Sequence, residues 1–211
     1  PANNAATLAA NTAGGNLSYV DADNLAVGTL APNAGGATTA GITAGTTSGG
    51  ATVKLESVAG ALSQAAASPI TTQNLYVGTA IGAILDNTTN DVATLAARVS
   101  GAGAFVFADK NDLTIGTVAD VAGTPMDGVR TANGALRLSA SKDAASTSGN
   151  LALTDDVIAG GSTTATLEAV KGAVTETANV DITATRLLVK AQDSTSLDNT
   201  GVGGKHLVGT L

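Results

Sequence analysis

The sequence has no cysteine, no tryptophan and almost no aromatic side chains. The absence of cysteine excludes disulfide bonds and thiolate metal sites. Hydrophobic residues make up 44% of the chain but aromatic residues only 2%, so Ala, Val, Leu and Ile must fill the interior. Compact domains usually use aromatic side chains to cover area. The composition therefore predicts a narrow core, such as the lumen of a solenoid of stacked coils.

Charge is also scarce. Charged residues make up 13% of the chain, the net charge is -7, and the Lys and Arg residues do not cluster. The lack of a basic patch argues against nucleic acid as a partner. The sequence contains neither an apolar run of membrane-spanning length nor a recognisable export signal. Its start at Pro1 fits a processed product or an internal fragment.

Two pairs of segments in the chain are similar in sequence. Residues 6–30 align with residues 93–118 at a spacing of about 87 to 88 residues, with matching leucine, aspartate and glycine positions. Residues 58–77 align without gaps with residues 170–189, at a spacing of about 112 residues. Similarity over such distances is typical of repeat architectures.

The two alignments divide the chain into repeat copies. The copies lie at about 1–92 and 93–204, with the start of a third copy at the C-terminus. The two spacings differ by roughly 24 residues, which is about the length of one solenoid coil. We interpret the extra segment, near 131–154, as an inserted coil. The sequence therefore predicts one continuous solenoid over residues 1–211.

Short segments with alternating apolar side chains predict β-strands within the repeats. Residues 112–118, 135–140 and 164–169 mostly follow the two-residue period of a half-buried strand. Turn-forming Asp, Asn and Gly residues separate such segments. Two segments, 58–67 and 91–98, have the Ala content of short helices, but they lie beside strand-like runs within the repeat, and we interpret them as strands or corners. The predicted fold is all-β, a parallel β-solenoid (β-helix) whose coils cover one another's apolar faces.

Two alternatives to a continuous solenoid stay open at this level. Asp127-Gly128 and Asn133-Gly134 suit two-residue hairpin turns, which are typical of an antiparallel sandwich. A local hairpin near the extra segment would still be compatible with parallel coils. The stretch 35–50 has the Gly- and Thr-rich composition of a flexible linker. The spacing of Leu and Val elsewhere argues against a wholly disordered chain.

The segments NDVATLAA, GAFVFADKNDLTIGTV and NGALRLSA resemble the repeat region of filamentous-haemagglutinin-like bacterial exoproteins and adhesins. The resemblance covers most of the chain. It implies a right-handed parallel β-helix, export to the bacterial cell surface or the extracellular space, and a role in adhesion or surface architecture. The partners it implies are host or cell-surface glycans or proteins.

Acidic turns recur at equivalent points of the two copies, in the segments DADN and DKND. Oxygens of Asp21, Asp23, Asp109 and Asp112 are candidate calcium ligands. Asp and Asn side chains also accept hydrogen bonds from their own turns, and neither the EF-hand spacing nor the glycine-rich calcium repeat is present. Turn capping is the favoured interpretation and calcium the alternative, and no other cofactor is expected.

Few residues are candidates for catalysis. His206 is the only histidine, and no carboxylate lies near it in sequence, so we interpret it as a solvated or strand-face residue. Glu56, Glu168 and Glu176 are the only glutamates, and the first two occupy corresponding repeat positions, as outward scaffold residues would. A carbohydrate-cleaving β-helix would need convergent ionisable side chains, usually beside aromatic platforms. The sequence predicts a protein that is not an enzyme.

Two functional hypotheses follow from these features. The first is a structural or adhesive module of a secreted or cell-surface bacterial protein, which forms a rigid rod or fibre. The alternative is a self-assembling subunit of an extracellular filament, sheath or surface layer. Neither terminus carries a recognisable cap, which favours a piece of a longer solenoid or head-to-tail stacking of copies.

Overall fold

The protein folds as a parallel β-solenoid. The computed structural model describes residues 2–32, 35–45, 50–147, 149–198 and 206–210. Over these residues 21 strands join into one sheet whose named strands all pair in parallel, and two further strand pairs form small antiparallel hairpins. The described ranges contain no helix, and hence none that could cross a membrane. The predicted all-β solenoid is confirmed.

The chain winds around three faces, always in the order face 2, face 1, face 3. Face 1 contains β1 (Thr7–Leu8), β4 (Leu25–Val27), β9 (Leu62–Gln64), β11 (Ala83–Leu85), β13 (Phe105–Ala108), β18 (Leu136–Ala140), β21 (Thr164–Ala169) and the last part of β23 (Ile182–Ala191). With about eight strands per face at a spacing of about 4.8 Å, the stack is roughly 35 Å tall.

The other two faces are built in the same way. Face 2 contains β3 (Leu17–Asp21), β8 (Thr52–Ser57), the last parts of β10 (Ile70–Thr79) and β12 (Asp91–Val99), β17 (Val129–Thr131), β20 (Val157–Ala159), the first part of β23, and β25 (Leu207–Thr210). Face 3 contains β2 (Ala10–Asn11), β7 (Ile42–Ala44), the first parts of β10 and β12, β14 (Leu113–Ile115), β19 (Leu151–Leu153), β22 (Val174–Glu176) and β24 (Thr195–Ser196).

In-register columns of apolar side chains fill the lumen, because alternate strand residues point inward at every level. One column on face 1 consists of Leu25, Leu62, Ala83, Phe105, Leu136, Ala165 and Leu187. One on face 2 consists of Tyr19, Leu55, Val77, Ala97, Val129, Val157 and Ile182. The expected aliphatic core is present, and both phenylalanines, Phe105 and Phe107, are buried within it.

Polar side chains inside the corners tie several coils together. Asn90 is fully buried, and its Oδ1 accepts the backbone N–H of Ile70 at 2.8 Å. Its Nδ2 donates to the carbonyls of Leu85, at 3.2 Å, and Ala108, at 3.0 Å. One asparagine therefore joins successive coils where face 1 turns into face 3, and it satisfies backbone groups that would otherwise be buried without a partner.

Two antiparallel hairpins leave the solenoid between faces. β5 (Thr29–Leu30) pairs with β6 (Thr39–Ala40), and β15 (Val118–Ala119) pairs with β16 (Pro125–Met126). The second hairpin packs against the outer surface of β10 and β12. Its turn is capped by Asp120, whose Oδ1 accepts the N–H groups of Ala122 and Thr124, both at 2.9 Å.

The dipeptides that suit hairpin turns occupy other positions. Gly128 lies at the corner between β16 and β17, and Gly134 at the corner between β17 and β18, where a Cβ atom would meet a neighbouring coil. It would lie 2.1 Å from the Asp156 carbonyl oxygen at Gly128 and 1.8 Å from the Gly103 carbonyl oxygen at Gly134. Close approach of coils accounts for Gly134, and at Gly128 a positive φ of 63° adds a second reason for glycine. Over the described ranges, antiparallel strand pairs occur in the two hairpins, and one isolated antiparallel bridge joins Gly149 to Lys171.

The two Ala-rich segments and the Gly- and Thr-rich stretch, whose composition does not by itself indicate a strand, contain strands in the structure. The Ala-rich segment 91–98 lies within β12, and 58–67 contains β9, so both form strand and corner as predicted. In the Gly- and Thr-rich stretch 35–50, the described residues include β6 and β7, and residues 46–49 lie outside the described ranges. The end of the second repeat copy near residue 204 also lies outside them.

The unit that repeats in the sequence is a strand with its corner, and not a whole coil of three faces. Residues 6–30 begin on face 1, whereas their counterpart 93–118 begins on face 3. Residues 58–77 and 170–189 differ by the same step of one face. Within the second copy, between its two aligned segments, β17, β18 and β19 make one full circuit of the three faces. A full circuit adds residues to the sequence spacing but returns the chain to the same face, so both pairs of similar segments lie one face apart. Similar units of strand and corner therefore form different faces.

The close approach at the corners predicts the effect of Gly134→Ala. The new Cβ would overlap the Gly103 carbonyl, so the free energy of unfolding should fall by about 1–3 kcal/mol or more. The control is Gly15→Ala, whose Cβ would lie 3.5 Å from the Thr12 carbonyl oxygen, an ordinary contact. Urea denaturation followed by circular dichroism measures both, and equal losses would contradict the overlap.

Candidate functional site

The recurring aspartates Asp21 and Asp109 make the same contacts at two different corners. The Oδ2 of Asp21 accepts the N–H of Ala5 at 2.9 Å, and its Oδ1 accepts the N–H of Asp23 at 3.1 Å. Asp109 likewise accepts the N–H of Val92 at 2.8 Å and that of Asn111 at 3.0 Å. Each carboxylate caps its own turn and also binds the preceding coil, as the turn-capping interpretation expects.

These two carboxylates nevertheless have opposite pKa shifts. The Ala5 and Asp23 N–H groups hold the pKa of Asp21 below its usual range, although burial opposes them. Burial raises the pKa of Asp109 to about 7, and the bonds from Asn111 and Val92 offset this only in part. Asp21 has only the first coil on its outer side, whereas Asp109 lies in the middle of the stack. Depth in the stack decides which effect is larger.

The other two calcium candidates, Asp23 and Asp112, are exposed and form hydrogen bonds to different parts of the chain. The Oδ2 of Asp23 accepts a bond from Asn4 at 3.3 Å, and the Oδ1 of Asp112 accepts the N–H of Asn150 at 2.6 Å. Over the described residues, no group of three or more His, Asp and Glu side chains is arranged to hold a metal ion. Calcium binding stays a prediction of the sequence.

Glu168 forms the densest ionic cluster. Its Oε2 accepts bonds from Lys142 at 2.9 Å, Arg137 at 3.1 Å and Ser139 at 3.1 Å. Burial alone would raise the pKa of Glu168, but these three donors lower it to about 2. The cluster links β18 to β21 on the outside of face 1. Glu56, its counterpart in the sequence repeat, lies on face 2 and pairs with Lys54 at 3.1 Å.

His206 does have a carboxylate partner, which chain folding brings from 30 residues away. Its Nε2 lies 3.1 Å from Oε1 of Glu176, and its Nδ1 accepts the N–H of Ile182 at 3.3 Å. The second bond requires a bare Nδ1, so the Nε2 hydrogen faces the glutamate. Burial raises the pKa of Glu176, and the proximity of His206 opposes that shift. The pair fastens the start of β25 to the preceding coil.

A polar groove lies on the outside of face 2, beside the β15–β16 hairpin. Lys54 fixes the hairpin there, because its Nζ contacts Asp120 at 3.0 Å and lies 5.1 Å from the centre of the Tyr76 ring. Beyond Tyr76 the groove contains two adjoining cavities of about 280 and 220 Å³, and Tyr76, Arg98 and Met126 line both. A mixed lining of aromatic, cationic and polar groups is typical of a site for a polar ligand.

Sequence inspection did not identify this groove. Lys54, Tyr76 and Arg98 are far apart in sequence, and only the register of face 2 makes Lys54 and Tyr76 neighbours. In the sequence these residues are marked only by an outward position in an alternating strand, and many solvated side chains share that position.

The class of protein that this architecture defines is the parallel β-solenoid. Comparison of the chain with protein-family models, with curated proteins and with solved structures gives no match.

The raised pKa of Asp109 predicts a pH-dependent stability. Between about pH 4 and 7 the carboxyl is protonated in the folded state and ionised in the unfolded chain, so the free energy of unfolding should fall as pH rises. Asp109→Asn should remove this component, which is at most about 1.4 kcal/mol per pH unit.

Asp21→Asn is the matched control for that measurement. Because the pKa of Asp21 is lowered, its contribution to stability is present above about pH 4 and is lost as pH falls further. Chemical denaturation from pH 3 to 8 should therefore show the Asp109→Asn change above about pH 4 and the Asp21→Asn change below it. Identical profiles would contradict the opposite shifts.

His206→Ala should expose one particular backbone amide. The Ile182 N–H loses its acceptor, so its hydrogen exchange should accelerate by roughly tenfold or more. The amide of Leu167, in the neighbouring strand β21, serves as the internal reference and should be unaffected. Unchanged exchange at Ile182 would show that His206 does not hold this amide.

Proposed function

We propose that this chain is a structural and adhesive module of a secreted or cell-surface bacterial protein, in which the solenoid forms part of a rigid rod. The observation that carries the proposal is the uninterrupted apolar lumen. Its columns run through every coil from Leu25 to Leu187 on face 1, with side chains that are almost fully buried. A lumen filled in this way leaves no internal room for a ligand, so any partner must bind the outside.

Rigidity follows from the direction of the hydrogen bonds. Parallel pairing places backbone hydrogen bonds along the long axis, where each coil is held by the coils on both sides. Buried polar side chains, such as Asn90 at its corner, add bonds in the same direction. A stack of this kind suits a spacer that presents its outer faces and hairpins at a distance from a cell.

A non-catalytic role is part of the proposal. The ionisable groups with the largest pKa shifts, Asp109 and Glu168, are engaged in bonds that join coils. The His206–Glu176 pair likewise connects β25 to the body. These contacts are explained by stability, so catalysis is not needed to account for them.

The alternative is a self-assembling subunit, and one observation favours it. Among the described residues, no strand pairs with the outer edges of β1, β2, β24 or β25. Val208 in β25 pairs with the buried Ala184, so it continues an inward column, and it is only partly buried at the last level of face 2. An open strand edge that leaves a lumen side chain partly uncovered is a surface on which a further coil can add. That coil would come from the same chain or from another copy.

Assembly of the purified chain separates the two functions. A module should stay monomeric in sedimentation experiments at high concentration, whereas a subunit should form fibres with an axial spacing of about 4.8 Å. Val208→Lys should then abolish fibres, because it places a charge at the open end of the apolar lumen. Val58→Lys, at a position 55% exposed on the side of the stack, is the matched control. Fibres that both variants weaken equally would contradict end-to-end stacking.

Adhesion is tested separately. Beads coated with the folded chain should adhere to glycan-bearing surfaces, and beads coated with heat-unfolded chain should not. Adhesion that is absent, or that does not depend on folding, would contradict the adhesive part of the proposal and leave the rod intact.

A further inference from the structure

The groove on face 2 is organised around one row of outward-facing positions. In register, Glu56 neighbours Gly78, Gly78 neighbours Arg98, and Arg98 neighbours Arg130. Three such steps span about 14 Å. Because Gly78 has no side chain, the row has a notch there, over which the Glu56 side chain leans with its Cγ 3.3 Å from where a Cβ of Gly78 would lie. The 220 Å³ cavity occupies this notch, and Ser57 and Ser100 also line it.

Arg98 is the cation of this row that lacks a carboxylate. Arg130 pairs with Asp156 at 3.0 Å, and Lys54 on the adjacent row pairs with Glu56 and Asp120. Within the described ranges Arg98 forms no ion pair, and its side chain is exposed. Two arginines side by side in a sheet repel each other. A bound anionic group between them would relieve this repulsion and form paired hydrogen bonds to a guanidinium.

Tyr76 supplies an apolar wall beside that cation. Lys54 lies over its ring on the side of the preceding coil. On the side of the following coil its register partner is Ala96, which is fully buried, and the Tyr76 ring lines the 280 Å³ cavity together with Ala97 and Arg98. Pro125 and Met126 of the hairpin form the opposite wall. A ring-shaped ligand with an apolar face therefore fits between Tyr76 and the hairpin.

We propose that this groove binds a saccharide whose pyranose ring carries a carboxylate. The carboxylate pairs with Arg98 near Arg130, the ring lies against Tyr76, and Glu56 and the serines of the notch bind hydroxyl groups. The inference rests on the adhesive function proposed above and specifies its ligand class. Uronic acid chains and sialic-acid-capped glycans share this chemistry.

The local charges favour a carboxylate on a sugar over a bare anion. The protein carries a net charge of -7, and Asp127 also lines the larger cavity, so long-range attraction does not draw anions to the groove. Binding must instead combine one ion pair with stacking and hydroxyl contacts. Free sulfate or phosphate offers only the ion pair.

Calorimetric titration of the intact chain tests the proposal. The probes are trigalacturonate and its methyl ester, and 3′-sialyllactose and lactose. At least one carboxylated probe should bind, and its neutral counterpart should bind roughly tenfold more weakly or not at all. The pair that shows binding distinguishes uronates from sialylated glycans.

Two variants of equal charge locate the site. Arg98→Gln should weaken binding by roughly tenfold or more, because it removes the guanidinium that pairs with the carboxylate. Arg186→Gln removes the same charge from an exposed position on β23 and should leave binding unchanged. Circular dichroism verifies that both variants are folded.

Several results would overturn the proposal that the groove binds a carboxylated saccharide. These are no binding of either carboxylated probe, equal binding of charged and neutral probes, equal losses in both variants, or full displacement by equimolar inorganic sulfate. None of these results bears on the rod, which would fail only if the chain were not a stiff stack of coils. The failure of this inference is therefore distinguishable from the failure of the proposed function.

Discussion

Parallel pairing between successive coils is the interaction on which the rest of this structure depends. A single level of short strands, such as β13 and β14, can neither satisfy its own backbone groups nor cover its apolar side chains, and the adjacent coils do both. Register follows from this requirement. Phe105 lies between Ala83 and Leu136, and a slip by one residue would turn such side chains toward solvent. Gly134 obeys the same constraint, since coils pack there too closely for a Cβ.

The stacking also decides the electrostatics of the chain. Asp21 and Asp109 occur in similar turns and accept the same two kinds of backbone bond, yet their pKa values move in opposite directions because one lies deeper in the stack. Glu168 and Glu176 are ordinary glutamates in sequence. Glu168 joins an ionic cluster and Glu176 gains a histidine partner because β18 and the start of β25 are brought beside them. A filled lumen directs recognition to the outer rows, where side chains recur at the strand spacing.

Local features made the fold predictable from the sequence. Alternating apolar residues gave the strands, turn residues gave the corners, and scarce aromatics indicated a narrow lumen. The repeat indicated stacking, although its copies turned out to lie one face apart. The hairpin at Val118–Met126 was not located, because Asp127-Gly128 is the stronger turn signal and lies at a corner instead. The right hand of the helix, calcium binding and adhesion stay predictions.

The sequence by itself determined that this protein is all-β, that its interior is aliphatic, and that its acidic turns cap themselves, because each property depends on neighbours within a few residues. Only the tertiary structure decided which strands meet. Corners of unequal length, two of which carry hairpins, make the number of residues per coil irregular, so sequence spacing does not fix the rows. Arg98 therefore lies beside Gly78 and Arg130 for a reason that no local pattern records: the lengths of the intervening corners set the register.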